Sequence, residues 1–218
     1  GGRLPATSAR IAPVAITHDG NIVLQFGSAG AGNGQFLRAW GVATAPGGDV
    51  FVTDINQDLV KVAVEQYGCE AVGLDEIYDV DADVYSPCAL GGTVNASTLP
   101  RLKCKIICGA ANNQLATDEI GVEVEKRGIL YAPDYAVNAG GLMNVSLEID
   151  GYNRERAMRM LRTIHFNLAR IFEISKRDNI PTYLAADRMA EERISVIGKL
   201  RLPHLGQHAP RFHGRRAG

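Results

Sequence analysis

The sequence predicts an α/β protein, an incomplete parallel sheet with helices, with a β-rich N-terminal segment before it and two long C-terminal helices after it. Three observations predict this. Up to about residue 54 the chain is rich in glycine and alanine and carries short β-like runs. From there to about residue 133 short apolar runs alternate with polar helical stretches, the pattern of a parallel sheet whose strands are joined by helices. Beyond residue 150 two long segments repeat apolar residues at the helical period.

The first runs are Val14-Ala-Ile16, Asn21-Ile-Val-Leu-Gln-Phe26, Trp40-Gly-Val-Ala43 and Asp49-Val-Phe-Val-Thr53. The turns His18-Asp-Gly20 and Pro46-Gly-Gly48 supply residues that tolerate positive φ and a proline that fixes its own. Short antiparallel strands are expected. Helical spacing first appears in Val60, Val64 and Tyr67, which sets a domain boundary near Asp54, between a segment 1–54 and a domain 55–201. Strand-like runs follow at Ala71-Val72, Val84-Tyr85, Lys105-Ile-Ile-Cys108 and Ile129-Leu-Tyr131, with a helix expected over residues 117–127.

In the first long helix, expected over residues 153–176, Ala157, Met160, Leu161, Ile164, Leu168, Ile171 and Phe172 form one apolar stripe that must pack on something. The second starts near Pro181, a residue suited to a first helical turn, with Ala186, Met189, Ala190 and Ile194 on one face. The last stretch, 202–218, has no periodicity and reads as a disordered tail.

With 46% hydrophobic residues in 218 the chain can bury a real core. The 23 basic and 24 acidic residues nearly cancel, so no global field favours nucleic acid or an anionic membrane. No run of about 18 apolar residues is present to span a bilayer, and the first ten residues lack the regions of a secretory signal. A cytoplasmic location is expected. Cys69, Cys88, Cys104 and Cys108 have no Cys-x-x-Cys pair and no histidine at zinc-ligand spacing, so no metal site is expected and the thiols fit a reducing compartment.

A phosphate-binding loop is suggested by Gly30-Ala-Gly32-Asn-Gly34, which follows an apolar run and precedes Asp54 by about the 20 residues that a dinucleotide fold uses. The third glycine, however, belongs at position 35, where the chain has Gln35, and Pro46-Gly-Gly48 leaves little helix. The alternative is a surface turn between two strands. Residues 26–36, Trp40-Gly-Val-Ala43 and Gly48-Asp-Val-Phe-Val-Thr-Asp54 resemble one blade of an NHL-repeat β-propeller. A single blade lacks the neighbours that stabilise such repeats, and would serve at most as an interaction module.

Several residues further on suit ligand chemistry by type and place. Asp54, at the end of a strand, can accept two hydrogen bonds from a ribose diol and would repel a 2′-phosphate, favouring NAD over NADP; an aspartate there also starts ordinary turns. Cys88, Ala89 and Leu90, with Gly91 and Gly92 behind them, suit a backbone running close to a flat ligand, or a plain loop. Asn112 and Asn113 follow a strand at the edge where open α/β sheets bind ligands, and an amide both donates and accepts; an Asx turn fits them equally. Asn138 can cap a helix whose first turn is Ala-Gly-Gly.

From Val52-Thr-Asp-Ile-Asn56 to Ala185-Ala-Asp-Arg-Met-Ala-Glu-Glu-Arg-Ile194 the chain closely resembles the leucine/valine branch of the glutamate, leucine, phenylalanine and valine dehydrogenases. The motifs are Ser86-Pro-Cys-Ala-Leu-Gly-Gly92, Gly109-Ala-Ala-Asn-Asn-Gln-Leu115, Tyr131-Ala-Pro-Asp-Tyr135, Asn138-Ala-Gly-Gly-Leu-Met-Asn144 and Gly151-Tyr-Asn-Arg-Glu-Arg156. They come in the family's order and cover nearly two-thirds of the chain. The resemblance implies a Rossmann-like NAD-binding domain. It implies cofactor contacts from Asp54, Cys88, Ala89, Leu90 and Asn112, a substrate contact from Asn113, and an aliphatic pocket lined by Leu142 and Val145.

The reaction so implied is reversible oxidative deamination of a branched-chain L-amino acid to its 2-oxo acid. That chemistry requires a lysine of lowered pKa and a proton-relaying acid, which in the family belong to an N-terminal domain that the first 54 residues do not resemble. No catalytic residue is therefore assigned, and the chain is expected to be inactive alone. A non-catalytic chimera joined at the Val-Thr-Asp shared by both resemblances is the alternative. Oligomeric state stays open, a homo-oligomer being compatible with the family.

Overall fold

A computed structural model describes residues 49–148 and 151–199, together with the backbone of three strands before them. Two of those strands, β1 (Val14–Ile16) and β2 (Ile22–Gln25), form an antiparallel pair. The third, β3 (Gly41–Thr44), joins β4 (Val50–Thr53), β5 (Glu70–Ala71), β6 (Val84–Ser86), β7 (Ile106–Ile107) and β8 (Leu130–Tyr131) in a six-stranded sheet of order β5-β4-β3-β6-β7-β8. That order is the doubly wound one, with β3 in the central first-strand place. Its direction is reversed: β3 pairs antiparallel with both β4 and β6, whereas β4/β5, β6/β7 and β7/β8 are parallel.

The expected short antiparallel strands are thus present, but the boundary drawn at Asp54 falls inside one sheet. A propeller blade is a separate four-stranded antiparallel sheet. Here β3 and β4 are instead built between β5 and β6, which is why the structure does not carry the blade reading. The incompleteness expected of the sheet is one of direction, since all six places are filled. Residues 30–34 and 202–218 lie outside the described residues.

Helices link the parallel pairs β4/β5 and β7/β8, whereas turns lead from β6 to β7. Helix α1 (Gln57–Tyr67) carries β4 to β5; Asn56 caps it by accepting the Asp58 N–H at 3.1 Å, and Gly68 ends it at φ 70°, a left-handed cap that glycine adopts without steric cost. Its buried residues are Val60 and Ala63, packed with Val50, Val52 and Cys69. Val64 and Tyr67, read at the same helical spacing, are exposed and stand outside that cluster.

Helix α2 (Asp118–Lys126) links β7 to β8 and places Val124 in the main core with Tyr85, Val94, Leu99, Ile107 and Tyr131. Burying a side chain such as Ile107 fully contributes about 1.5–3 kcal/mol. Two short helices, α3 (Asp134–Val137) and α4 (Gly140–Ser146), follow β8.

Helix α5 (Arg154–Asp178) starts at Asn153, whose side chain accepts the Arg156 N–H at 2.9 Å, and stops at Asn179 in the left-handed region. Helix α6 (Thr182–Lys199) folds back on it through Ile171, Ile174, Ala185 and Ala186. The anticipated stripe on α5 is buried at Ala157 and Ile171 and only half-buried at Met160, Leu161 and Ile164. On α6 Ala186 is buried, whereas Ala190 and Ile194 are exposed. Among the described residues no helix is long and apolar enough to cross a membrane.

Candidate functional site

The cofactor and substrate residues expected from the sequence, except Leu142 and Val145, lie at or just beyond the C-terminal end of a parallel strand, along one edge of the sheet. Asp54 follows β4, Cys88 to Leu90 follow β6, and Asn112 and Asn113 follow β7. This is the edge at which open α/β sheets bind ligands, because the loops there diverge around the change of winding direction.

Two of those loops are locked together by glycines. The Ala111 N–H donates to the Pro87 carbonyl at 3.0 Å, and the Gly92 N–H to the Asn113 carbonyl at 2.7 Å. A methyl at Gly109 would overlap the Pro87 carbonyl oxygen, and one at Gly91 would sit 2.6 Å from the Asn112 carbonyl oxygen. Only glycine permits that approach. The fully buried Gln114 holds the second loop from inside, its Nε2 donating to the carbonyls of Gly109 at 2.6 Å and Ala111 at 3.0 Å.

Asn113 adopts φ 53°, a left-handed conformation that asparagine tolerates better than most residues. Its N–H donates to Asp134 Oδ2 at 2.5 Å, while the Tyr131 hydroxyl donates to Asp134 Oδ1 at 3.1 Å. Asn138, expected to cap α4, is instead the C-cap of α3, and Ala139 precedes α4 without a side-chain cap bond. The Asn138 amide turns to the site, donating to Asn112 Oδ1 at 2.6 Å and to the Ala110 carbonyl at 3.3 Å. Asn112 thus has its oxygen occupied, and it is exposed with its NH₂ directed to no protein acceptor among the described hydrogen bonds.

Asp54 is 1% exposed. Its Oδ1 accepts the Asn56 N–H at 2.7 Å, and its Oδ2 is buried without a partner. Burial raises its pKa above the usual carboxylate value, against the lowering effect of the Asn56 N–H. A buried carboxylate oxygen without a partner is costly and uncommon in folded proteins. The structure does not bring Asp54 into contact with the Cys88 and Asn112 loops, since β3 stands between β4 and β6.

The thiols at this edge are not nucleophiles. Burial pushes Cys108 up to about 11 and raises Cys88, whose Sγ lies 3.3 Å from the Ser86 hydroxyl, so both stay protonated at neutral pH. Leu142 and Val145 share one face of α4 and are 76% and 57% exposed; they form an open apolar face rather than a closed pocket. No cluster of histidine, cysteine and acidic residues suited to a metal ion occurs among the described residues.

Asp134, Tyr131 and Gln114 were not foreseen as parts of the site. The Asp134 signal was present in Tyr131-Ala-Pro-Asp134, an acid just past a strand, as in Val52-Thr-Asp54.

The sequence profile of the Glutamate/Leucine/Phenylalanine/Valine dehydrogenase family matches residues 51–197. Leucine dehydrogenase of Geobacillus stearothermophilus is 52% identical over 164 residues, covering 74% of this chain and 45% of that protein. Leucine dehydrogenase of Thermoactinomyces intermedius is 53% identical over 159 residues, covering 73% and 43%. The chain thus spans less than half the length of these relatives. Among solved structures, L-tryptophan dehydrogenase from Nostoc punctiforme superposes with a TM-score of 0.66 at 44% identity, over 67% of this chain and 44% of that one. With a profile match over most of its length and this agreement of fold, the chain belongs to the glutamate/leucine/phenylalanine/valine dehydrogenase family.

Proposed function

We propose that residues 51–197 carry the nucleoside-binding and nicotinamide-facing wall of an NAD site built for oxidative deamination of a branched-chain L-amino acid, leucine or valine, and that the chain alone does not turn over. The observation that carries this reading is Asp54, a buried carboxylate at the end of β4 whose Oδ2 lacks a partner. A ribose diol supplies the missing donors, and the negative charge disfavours a 2′-phosphate.

The residues beside it fit the rest of the group. Gly91 and Gly109 let the loops after β6 and β7 pack closely on each other, and that packing would hold Cys88, Ala89 and Leu90 along a flat ring. Asn112 offers a free amide NH₂ to a carboxamide, Asn113 stands toward the substrate end, and Leu142 with Val145 present an aliphatic face to a leucine or valine side chain. When bound, NAD supplies the acceptor for the hydride leaving the amino acid's α-carbon. The protein's own part is to orient the two partners and exclude water.

The base is what this chain does not offer. Lys61 pairs with Glu65 on α1, Lys105 with Asp83 before β7, and Lys126 with Glu123 at the end of α2. Lys103, Lys176 and Lys199 also lie away from the strand ends that gather the site. A lysine of lowered pKa must come from elsewhere.

The test is titration of the full chain with NAD, paired with an absorbance assay for NADH formation from leucine and from valine. No NADH is expected, together with NAD binding that Asp54→Ala weakens about tenfold or more, the scale of a lost hydrogen bond to a charged group. NADH formed by the isolated chain would overturn the non-catalytic part. NAD affinity untouched by Asp54→Ala would overturn the assignment of the site.

A further inference from the structure

Two side-chain amides at the ligand edge, Asn112 and Asn138, bond to each other, and the end that each turns to its partner decides what the other end offers. A primary amide carries an acceptor oxygen and a donor NH₂ of nearly the same size. Turning it over exchanges the two without changing its shape, so its orientation has to be set by a group that cannot turn.

That group is the Ala110 carbonyl. Gln114 bonds to the carbonyls on either side of it, Gly109 at 2.6 Å and Ala111 at 3.0 Å, and the Ala111 N–H is tied to Pro87. A backbone carbonyl only accepts, and the Asn138 amide meets it at 3.3 Å, so Asn138 presents its NH₂. The same NH₂ donates to Asn112 at 2.6 Å, so Asn112 presents Oδ1 to it. Turning Asn112 over would set two NH₂ groups against each other. Asn112 is exposed, and its own NH₂ is left for a ligand that accepts. Asn138 is anchored in turn, since its N–H donates to the Asp134 carbonyl at 2.8 Å where α3 ends.

We propose that Asn138 is a positioning residue that makes Asn112 a donor only, so that a nicotinamide carboxamide is taken by its oxygen and its NH₂ is not read. The proposal rests on the NAD site proposed above. A pyridine ring that bears a ketone in place of the carboxamide then fits as well as NAD does. In Asn138→Asp the carboxylate accepts the Asn112 NH₂, and Asn112 turns its oxygen outward. NAD follows by turning its own carboxamide over; a ketone has no NH₂ with which to follow.

The experiment is calorimetric titration of the full chain with NAD, with 3-acetylpyridine adenine dinucleotide as the ketone, and with ADP-ribose, which has no pyridine ring and reports the ribose end alone. In the unaltered chain the two pyridine dinucleotides are expected to bind within about twofold of one another. Asn138→Asp is expected to weaken the ketone at least about fivefold more than NAD, the scale of one hydrogen bond. Asn112→Asp also faces the ring with an acceptor; it should give the same preference, and it stands in if Asn138→Asp does not fold. In an Asn112→Ala background Asn138→Asp should no longer separate the two dinucleotides, because its effect passes through Asn112. A ratio of the two dinucleotides unchanged by Asn138→Asp or by Asn112→Asp would overturn the proposal while leaving the NAD site standing. Failure of all three ligands to bind the unaltered chain would overturn the proposal and the NAD site together.

Discussion

Asp54 and Asp134 are buried carboxylates at the same edge of one sheet, on opposite sides of the reversed strand β3, and their surroundings differ. Asp134 has both oxygens engaged, one by the Asn113 N–H and one by the Tyr131 hydroxyl. Asp54 has one oxygen engaged and one orphaned. The half of the sheet around Asp134 is built from parallel strands over a large core that includes Tyr85, Ile107, Val124 and Tyr131. The half around Asp54 rests on a small cluster of Val50, Val52, Val60, Ala63 and Cys69. One carboxylate is satisfied by the protein itself; the other keeps an oxygen without a partner.

The comparison can be broken most forcefully at Gly109. Its Cβ position coincides with backbone atoms of Pro87 rather than with a flexible side chain, so relief requires the loops after β6 and β7 to separate. Gly109→Ala is expected to cost about 3 kcal/mol, the upper range for overpacking, read as a fall in the urea midpoint. A loss below about 1 kcal/mol would show that the two loops are not locked and that the half around Asp134 is less rigid than its contacts state.

Asp134→Asn tests the same half more gently. An amide keeps one acceptor and presents NH₂ where the second donor points, so one of the two bonds to Asn113 and Tyr131 is lost. The expected cost is about 2 kcal/mol, the scale of a hydrogen bond to a charged group. Amide hydrogen exchange at Asn113 should accelerate in the variant; unchanged exchange there would remove Asp134 from the role of positioning that loop.

The sequence made most of these elements legible, and the reason is periodicity. Strands β4, β6, β7 and β8 and helices α2, α5 and α6 appear within a few residues of where apolar spacing placed them, because burial of one face is written locally. The position of the candidate residues was legible too, since Asp54, Cys88 and Asn112 all stand just past parallel strands at one edge of the sheet, although β3 keeps Asp54 apart from the other two. What was not legible is long-range. Nothing between Gly41 and Thr44 shows that the strand pairs with β6 as well as β4, or that it runs backwards. Nor did spacing reveal that Asn138 serves Asn112 rather than α4, because a cap and a tertiary hydrogen bond use the same amide. Leu142 and Val145, expected in a pocket from the resemblance and not from spacing, stand exposed on α4.

Asp54→Asn gives the opposite sign, and with it the sharpest statement of the difference between the halves. Burial without a partner for Oδ2 raises the folded-state pKa, so the folded protein binds the proton more tightly than the unfolded chain does. The stability linked to that proton is fully present below the ordinary carboxylate range and is lost as pH rises through the raised folded value. At neutral pH the wild-type protein therefore holds a charge it would be more stable without. Asparagine keeps an oxygen for the Asn56 N–H and removes the charge, so Asp54→Asn is expected to stabilise the chain by about 1 kcal/mol at neutral pH, within the penalty for a buried unsatisfied group. The gain should shrink toward zero as the pH falls below the carboxylate range, a trend that thermal unfolding from acid to neutral pH measures directly. A variant less stable than wild type at neutral pH would mean that Asp54 is as well partnered as Asp134.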